Sequence, residues 1–174
     1  MTVEKIDLRG RMRRSDRQMS DPDARAFLRE HAVASVGTID SAGWPYVVPL
    51  MYVYEEGDKL FLHTGSRAGH FFNNIGENDK ICIAIAERGP MHQGAPSPCN
   101  GSLVYKSAIV YGRVRVCYGA QLDEQKTWFF DHLLARLGDA RSNYAAGYTM
   151  LKQITLYEVA IEILTGKINV GLHH

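Results

Sequence analysis

The sequence is poor in the features that mark exported, membrane-spanning and disulfide-bonded proteins. No apolar run reaches the roughly 18 residues that a membrane helix requires, and the first twenty residues lack the apolar segment of a signal peptide. The three cysteines, Cys82, Cys99 and Cys117, are odd in number and widely spaced, which argues against a disulfide framework and a zinc site. We therefore expect a cytoplasmic protein with no membrane partner and no metal centre.

An excess of charge of one sign is also missing, because 20 Lys and Arg residues balance 19 Asp and Glu residues. Arginines nevertheless cluster near the start, at positions 9, 11, 13, 14 and 17. Such a cluster can bind nucleic acid through its phosphates, but the near-neutral chain and the lack of interleaved aromatic residues argue against this. We predict that residues 1–20 form a polar basic arm, solvated or packed on a partner subunit, and that residues 21–174 form one domain.

Periodicity in the sequence predicts mainly β-structure with flanking helices. Ser20, followed by Asp21, Pro22 and Asp23, is typical of a helix start, and that helix is expected to end near His31. A second helix is expected to begin near residue 67, and a third to span 121–137. Alternation of apolar and polar residues predicts six strands, at 33–39, 46–54, 59–64, 80–86, 103–117 and 154–164.

Short hairpins with few helices between them indicate an antiparallel sheet that closes on itself. Pro45 and Pro49 place the second strand at an edge or beside an irregularity, because proline cannot donate a hydrogen bond to the ladder. Gly112 is the expected bulge in the long fifth strand. The predicted fold class is α+β, a six-stranded antiparallel barrel with flanking helices.

The stretch 59–75 is the strongest candidate for a binding site. It is predicted to be a strand, a turn at Gly65 and Ser66, and then a helix. Free N–H groups at the helix start, together with Arg67 and His70, could bind a phosphate or carboxylate. An ordinary strand-to-helix turn with a serine cap is the alternative interpretation of this stretch alone.

Three segments together resemble the flavin-binding split-barrel superfamily, which includes pyridoxamine 5′-phosphate oxidase. They are the stretch KLFLHTGSRAGHFFNNI at 59–75, the segment APSPCNGSLVYKSAIVYGRVRV at 95–116, and the ending IEILTGK at 161–167. The Tyr-basic-Ser-x-x-x-x-Gly pattern of residues 105–112 is similar to the branch of nitroimidazole-resistance proteins. The resemblance covers residues 12–167, and it implies a six-stranded antiparallel split β-barrel.

The resemblance implies a cofactor, FMN, at the interface of a homodimer. By similarity, the second strand runs alongside the isoalloxazine ring, while the third strand and its turn meet the ribityl chain and phosphate. Residues of the fifth strand and of the terminal Gly-Lys complete the site, Lys167 reaching the flavin of the partner subunit. The implied cofactor-binding residues are Val48, Pro49, Leu50, Met51, His63, Thr64, Ser66, Arg67, His70, Tyr105, Lys106, Ser107 and Lys167.

One departure from the family pattern concerns the phosphate. The residue after the Gly-His pair is usually basic in these proteins, whereas here it is Phe71. Either Arg67 or Lys106 supplies the missing charge, or FMN is bound weakly.

Two classes of function follow from the resemblance. The first is a flavin-dependent oxidoreductase that reduces a small nitroaromatic or related molecule, with His63 as the proton donor because imidazole titrates near neutrality. In the alternative interpretation, His63 is a hydrogen-bonded residue of the barrel. The second class is a non-catalytic protein that binds or stores flavin, a deazaflavin or haem, with His63, His70 or His92 as the candidate iron ligand.

Overall fold

A computed structural model describes residues 7–171 of the chain. Its three α-helices are α1 (Asp21–Glu30), α2 (His70–Glu77) and α3 (Leu122–Arg136). Its six strands are β1 (Val33–Ile39), β2 (Pro45–Val53), β3 (Lys59–Thr64), β4 (Lys80–His92), β5 (Ser102–Val116) and β6 (Thr155–Asn169). Residues 1–6 of the predicted arm and residues 172–174 of the predicted domain lie outside the described range.

The strands form one antiparallel sheet in the order β1-β2-β3-β6-β5-β4. Strand β1 also pairs with β4, through Ser35↔Ala84 to Gly37↔Cys82, so that the sheet closes on itself. The predicted α+β class with six antiparallel strands is therefore confirmed. No helix among residues 7–171 is both long and apolar enough to cross a membrane.

The core fills the inside of the closed sheet because alternate residues of each strand point inward. Val36, Leu62, Ile83 and Val110 are fully buried there, with α1 and α2 packed against its ends. A second cluster under α3 joins Phe129 to strand residues such as Val53 and Leu156.

Helix α1 begins as the sequence predicts. The backbone N–H of Asp23 donates to the Ser20 side chain over 3.2 Å, which satisfies one of the free donors of the first turn. Ala24, Phe27 and Leu28 then face the core.

Two strands are longer than predicted, for local reasons. Strand β4 continues past residue 86 to His92, because a register shift between Arg88 and Met91 absorbs the Gly-Pro pair. Strand β6 continues to Asn169, so that the Gly-Lys pair lies inside a strand. The irregularity predicted at Gly112 is present as a register shift between Tyr111 and Gly112, but the extra residue is Glu162 of the paired strand β6 and not a residue of β5.

The described part of the N-terminal arm lies along β6 of its own chain. Gln18 forms a bridge with Lys167, the N–H of Met19 donates to the Gly166 carbonyl over 2.9 Å, and Arg9 pairs with Glu162. A Cβ on Gly166 would come within 2.7 Å of the Ala24 Cβ. The described part of the arm is therefore packed on the sheet of its own chain. It differs in this from the expectation of a solvated arm.

Candidate functional site

Strands β2 and β3 separate after a short paired segment. Within the described chain they pair at Tyr52↔Leu62 and Val53↔Phe61 alone. Beyond these pairs the two strands form no further ladder pairs within residues 7–171, and residues 48–51 of β2 lie on one side while residues 64–67, at and after the end of β3, lie on the other. We call the space between these two segments the β2–β3 opening. Its two sides carry seven of the predicted cofactor-binding residues, namely Val48, Pro49, Leu50, Met51, Thr64, Ser66 and Arg67.

The turn after β3 is exposed and ends in a helix start with free donors. Ser66 and Arg67 are both exposed. Helix α2 begins at His70, three residues later than predicted, because Gly69 takes φ 94° and serves as its N-cap. Among the described residues, no side chain caps this end. Its first N–H groups are therefore available to an anion, and the serine cap of the alternative interpretation does not form.

Arg67 is the cation at this turn. Its guanidinium carbon lies 4.8 Å from the centroid of the Tyr118 ring, which orients the side chain by a cation–π contact. Within residues 7–171, no carboxylate lies at ion-pair distance from Arg67. Tyr118 was not predicted, and its distance in sequence from the turn leaves no signal by which it could have been.

Thr64 is tied to the turn and to the core. Its hydroxyl donates to the Ser66 carbonyl over 2.9 Å and lies 2.8 Å from the Tyr157 hydroxyl. Tyr157 is fully buried. Desolvation raises the pKa of its phenol and outweighs the side-chain hydrogen bonds with Thr64 and Thr155, which lower it. Thr64 therefore shapes the turn, and Tyr157 is a supporting residue that the sequence did not indicate.

The family departure at Phe71 has a structural explanation. Its ring is 5% exposed and packs edge-on against Tyr157 with centroids 5.2 Å apart. Phe71 thus belongs to the core and cannot contact a phosphate. Its neighbour His70 is exposed, with its ring 4.6 Å from that of Tyr46 on β2, so that the start of α2 is held at the β2 side of the opening.

His63 lies in a different environment from the one expected. Its imidazole is half-buried beneath α3, with the rings of Phe129 and Phe130 edge-on at 5.2 and 5.1 Å. The Nδ1 atom is buried without a hydrogen-bond partner in the described chain, and desolvation lowers the pKa of His63. The expectation of an imidazole open to substrate does not match this packing, and the predicted proton-donor role stays a prediction.

The predicted residues of β5 and β6 form a second group. Ser107 pairs with Lys167, and both lie on the side of the sheet that faces away from the core. The Lys167 ammonium lies 5.7 Å from the centroid of the Tyr105 ring. Lys106 points to the opposite face, where it lines a cavity of about 380 Å³ near α1. Lys106 therefore does not share a surface with Tyr105 and Ser107.

The two groups of predicted residues lie at opposite ends of β6. Thr64 pairs with Thr155 at the start of β6, whereas Ser107 pairs with Lys167 near its end. Twelve residues separate these positions in β6, or about 40 Å of strand at roughly 3.3 Å per residue. The turn after β3 and the Lys167 end of β6 are therefore far apart along this strand.

An apolar surface covers the side of β1 and β2 that faces away from the core. Val33, Ile39, Val47 and Met51 are exposed by 52%, 43%, 64% and 42%. Register pairing places β4 residues such as Cys82 and Ala84 on the same surface. In the part of the chain that the structure describes, no helix is in contact with the outward side chains of this surface, which we call the outer sheet face.

A cavity of about 640 Å³ lies away from the predicted residues. It is lined by Arg29, Glu55, Glu56, Lys59, Phe61, Trp128 and His132. The candidate site is thus an open surface of one chain rather than an enclosed cavity. The three histidines considered as iron ligands are also apart, since His63 lies under α3, His70 at the start of α2, and His92 at the end of β4 beside Gly171.

Solved structures of flavin-binding proteins share this fold. A candidate 5-nitroimidazole antibiotic resistance protein from Bacteroides thetaiotaomicron VPI-5482 is 23% identical, with a TM-score of 0.66 over 87% of this chain and 86% of that chain. The flavocytochrome Anf3 from Azotobacter vinelandii is 21% identical, with a TM-score of 0.77 over 97% and 78% of the two chains. The FAD and heme binding protein from Mycobacterium smegmatis is 21% identical, with a TM-score of 0.73 over 91% and 76%.

Sequence comparison gives the family. No curated protein matches the chain. The sequence profile described as pyridoxamine 5′-phosphate oxidase, however, matches residues 20–168, which is most of the chain and agrees with the segments that carry the resemblance. The chain belongs to the pyridoxamine 5′-phosphate oxidase family.

Proposed function

We propose that the protein is a flavin-dependent oxidoreductase that binds FMN in the β2–β3 opening, at the interface of a homodimer. The observation that carries the proposal is the separation of β2 from β3 beside an exposed turn with an unpaired arginine and a free helix start. We further propose that the fold is the split barrel of the flavin-binding superfamily, since the closed sheet parts at this position.

Strand β2 suits the flavin ring. Its residues 45–51 pair with β1 on one side, while on the other side they have no strand partner within the described chain. The N–H and C=O groups that point into the opening resemble those of an edge strand. They match the alternating donors and acceptors of the pyrimidine edge of an isoalloxazine, and Val48 and Leu50 add apolar contact from the core side.

The turn suits the phosphate. Arg67 supplies a charge that no carboxylate of the described chain neutralises, and the N–H groups at the start of α2 supply donors. Because Phe71 is in the core and Lys106 is on another surface, Arg67 is the cation on which phosphate affinity depends. His70 is exposed at the same helix start and adds charge when protonated.

A second copy of the chain completes the site. Tyr105, Ser107 and Lys167 lie near the end of β6 that is opposite Thr64, and the proposal is that they contact the flavin held by another subunit. The outer sheet face offers the apolar surface that a homodimer buries. Such an interface would place the second group of one chain near the β2–β3 opening of its partner.

When bound, the flavin supplies the hydride or electron transfer. The chain binds and orients the ring along β2, holds the phosphate at the turn, and excludes water through the dimer interface. His63 is the proposed proton donor to a small nitroaromatic substrate, although α3 covers one side of its ring. A proton donor within reach contributes typically 10²–10⁴-fold to the rate.

A non-catalytic flavin- or haem-binding protein is the second candidate. It is favoured by the core position of Phe71, which leaves one fewer cation for the phosphate, and by neighbours of the same fold that bind FAD and heme. A split barrel that holds a cofactor without turnover would need the same opening but no proton donor.

The absorption spectrum of the purified protein separates these functions. We expect the two bands of a bound flavin, and chromatography of the released cofactor should identify FMN rather than FAD. Titration of the cofactor-free protein with FMN, FAD and haem in parallel gives their relative affinities. Tight haem binding with no flavin binding would reject the proposal, and bound FMN without reduction of any nitroaromatic in the presence of a reductant would favour storage.

A further inference from the structure

The cavity of about 640 Å³ between α1, β3 and α3 has an aromatic wall. Phe61 of β3 and Trp128 of α3 meet edge-on, with their ring centroids 5.3 Å apart. The ring of His132, one turn further along α3, lies 4.5 Å from that of Trp128. All three side chains are half-buried and line the cavity. Aromatic surface of this kind binds the flat or apolar part of a small molecule.

Two of the charged residues that line the cavity are balanced by other residues of the chain. Glu55 forms an ion pair with Arg136 of α3. The Lys59 ammonium lies 3.4 Å from the Glu158 carboxylate. The charges of Glu55 and Lys59 are therefore already compensated.

Arg29 and Glu56 are the other two charged residues of the lining, and neither forms an ion pair with any side chain of residues 7–171. The Nε–H of Arg29 donates to the Glu55 carbonyl over 2.6 Å, and the guanidinium carbon lies 5.8 Å from the centroid of the Tyr54 ring. These contacts hold the side chain at the cavity and leave its two terminal nitrogens for a ligand. A guanidinium suits a carboxylate, because its parallel N–H groups can bind both oxygens.

His132 adds an acceptor. Its Nδ1 atom lies 2.8 Å from the Trp128 carbonyl oxygen, and because a carbonyl can only accept, Nδ1 carries the hydrogen. In the neutral ring, Nε2 is then an acceptor. Together with the Glu56 carboxylate, Nε2 can receive the hydrogens of an ammonium group. The lining thus offers donors for a carboxylate, acceptors for an ammonium and aromatic surface for a side chain.

We propose that this cavity binds an aromatic amino acid, or a small molecule with the same α-amino acid headgroup. Arg29 binds the carboxylate, Glu56 and His132 bind the ammonium, and Phe61 and Trp128 contact the aromatic side chain. A zwitterion is favoured over a singly charged ligand, because it pairs both of the uncompensated charges. The cavity volume of about 640 Å³ lies within the range of roughly 300–1,000 Å³ that is typical of small-molecule sites.

The amino acid site is separate from the proposed flavin turn. Lys59, which lines the cavity, begins β3, and Thr64 ends it. Roughly 16 Å of strand therefore lies between Lys59 and the start of the turn that carries Arg67. Occupation of the cavity does not require flavin, so that this proposal stands or fails independently of the proposed function.

Trp128 itself can report binding. The chain has two tryptophans, and the other one, Trp44, is 72% exposed in the turn between β1 and β2. Full-length Trp44→Phe therefore emits tryptophan fluorescence from Trp128 alone. It is titrated with phenylalanine, with 3-phenylpropionate, which lacks the ammonium, and with 2-phenylethylamine, which lacks the carboxylate. Phenylalanine should bind most tightly, and each of the other two about tenfold or more weakly, because each loses one charge-assisted contact.

Charge variants in the same background identify the contacts. Arg29→Gln should weaken phenylalanine and 3-phenylpropionate about tenfold and leave 2-phenylethylamine unchanged. Glu56→Gln should weaken phenylalanine and 2-phenylethylamine and leave 3-phenylpropionate unchanged. Arg11→Gln and Glu30→Gln are the matched controls, because both residues are exposed and lie outside the cavity lining. Equal phenylalanine affinity of all four variants, or no saturable change in Trp128 emission with millimolar phenylalanine, would overturn the proposal.

Discussion

At the scale of single residues, Arg67 is the side chain on which FMN affinity should depend most. Replacing Arg67 with Ala removes a charge-assisted contact of about 1.5–3 kcal/mol, so that FMN affinity should drop about ten- to a hundredfold. Fluorescence titration of the cofactor-free protein measures this directly. Riboflavin, which has no phosphate, should bind the variant and the parent alike.

Arg141 provides the matched control for Arg67. It also lies over a tyrosine ring, that of Tyr148, with its guanidinium carbon 5.7 Å from the centroid, but it is paired with Asp131 and is not one of the predicted cofactor-binding residues. Arg141→Ala should leave FMN affinity unchanged. Equal FMN affinity of Arg67→Ala and the parent would mean that the phosphate is bound elsewhere.

His63 should make the folded state sensitive to acid. Desolvation lowers its pKa below the ordinary value of 6.5, so that the unfolded chain takes up a proton before the folded chain does. The stability that His63 contributes is complete above pH 6.5 and is lost as the pH falls towards its lower folded pKa. His63→Phe removes this titration. The unfolding free energy of the variant, measured relative to that of the parent, should therefore rise as the pH falls from about 7 to about 5.

The same variant separates packing from proton donation. If His63 is the proton donor, His63→Phe should reduce nitroaromatic turnover about a hundredfold with full FMN occupancy. Unchanged turnover at full occupancy would assign His63 to the packing of α3 alone.

At the scale of elements, the close approach of β5 to β6 at Gly112, beside the bulge in β6, constrains the sheet most tightly. A Cβ on Gly112 would lie 2.2 Å from the Ala160 carbonyl oxygen in β6, far inside van der Waals contact. Gly112→Ala should therefore destabilise the protein by about 1–3 kcal/mol or more, as other overpacked sites do. Urea unfolding followed by circular dichroism measures the change.

Gly76 in α2 is the natural comparison for Gly112. A Cβ there meets no atom within 4 Å in the described chain, and alanine favours a helix interior by about 0.5–1 kcal/mol over glycine. Gly76→Ala should thus stabilise where Gly112→Ala destabilises. Two changes of the same sign would contradict the assignment of the bulge.

Elements with a local signal were predictable, and elements fixed by distant contacts were not. Strands β1 and β3 have the bounds that alternation predicts, and the Ser20 cap forms as expected. The start of α2 was misplaced because Gly69 adopts a positive φ, and the Ser-Arg pair before it resembles a helix start. His63 packs under α3 against Phe129 and Phe130, which follow it by 66 and 67 positions in the sequence. No local sequence pattern indicates that contact.

At the scale of the whole molecule, the proposed flavin site draws on two chains. In this proposal the β2–β3 opening of one chain provides the ring and phosphate contacts, and its partner provides Tyr105, Ser107 and Lys167 from the far end of the sheet. This separation could not be deduced from sequence order, because it depends on the register of β6 with both β3 and β5. In the proposed site, flavin occupancy should therefore depend on the oligomeric state.

Disrupting the outer sheet face should therefore remove flavin as well as the dimer. Val47 is 64% exposed at the centre of this face, and Val47→Lys would bury an uncompensated charge in the interface at a cost of about 3–5 kcal/mol. Light scattering coupled to chromatography should show a dimeric parent and a monomeric variant, with lower FMN occupancy in the monomer. Leu137→Lys, at a residue 56% exposed beyond α3, should remain a dimer with full FMN. A monomeric Val47→Lys that binds FMN as tightly as the parent would show that one chain suffices for the site.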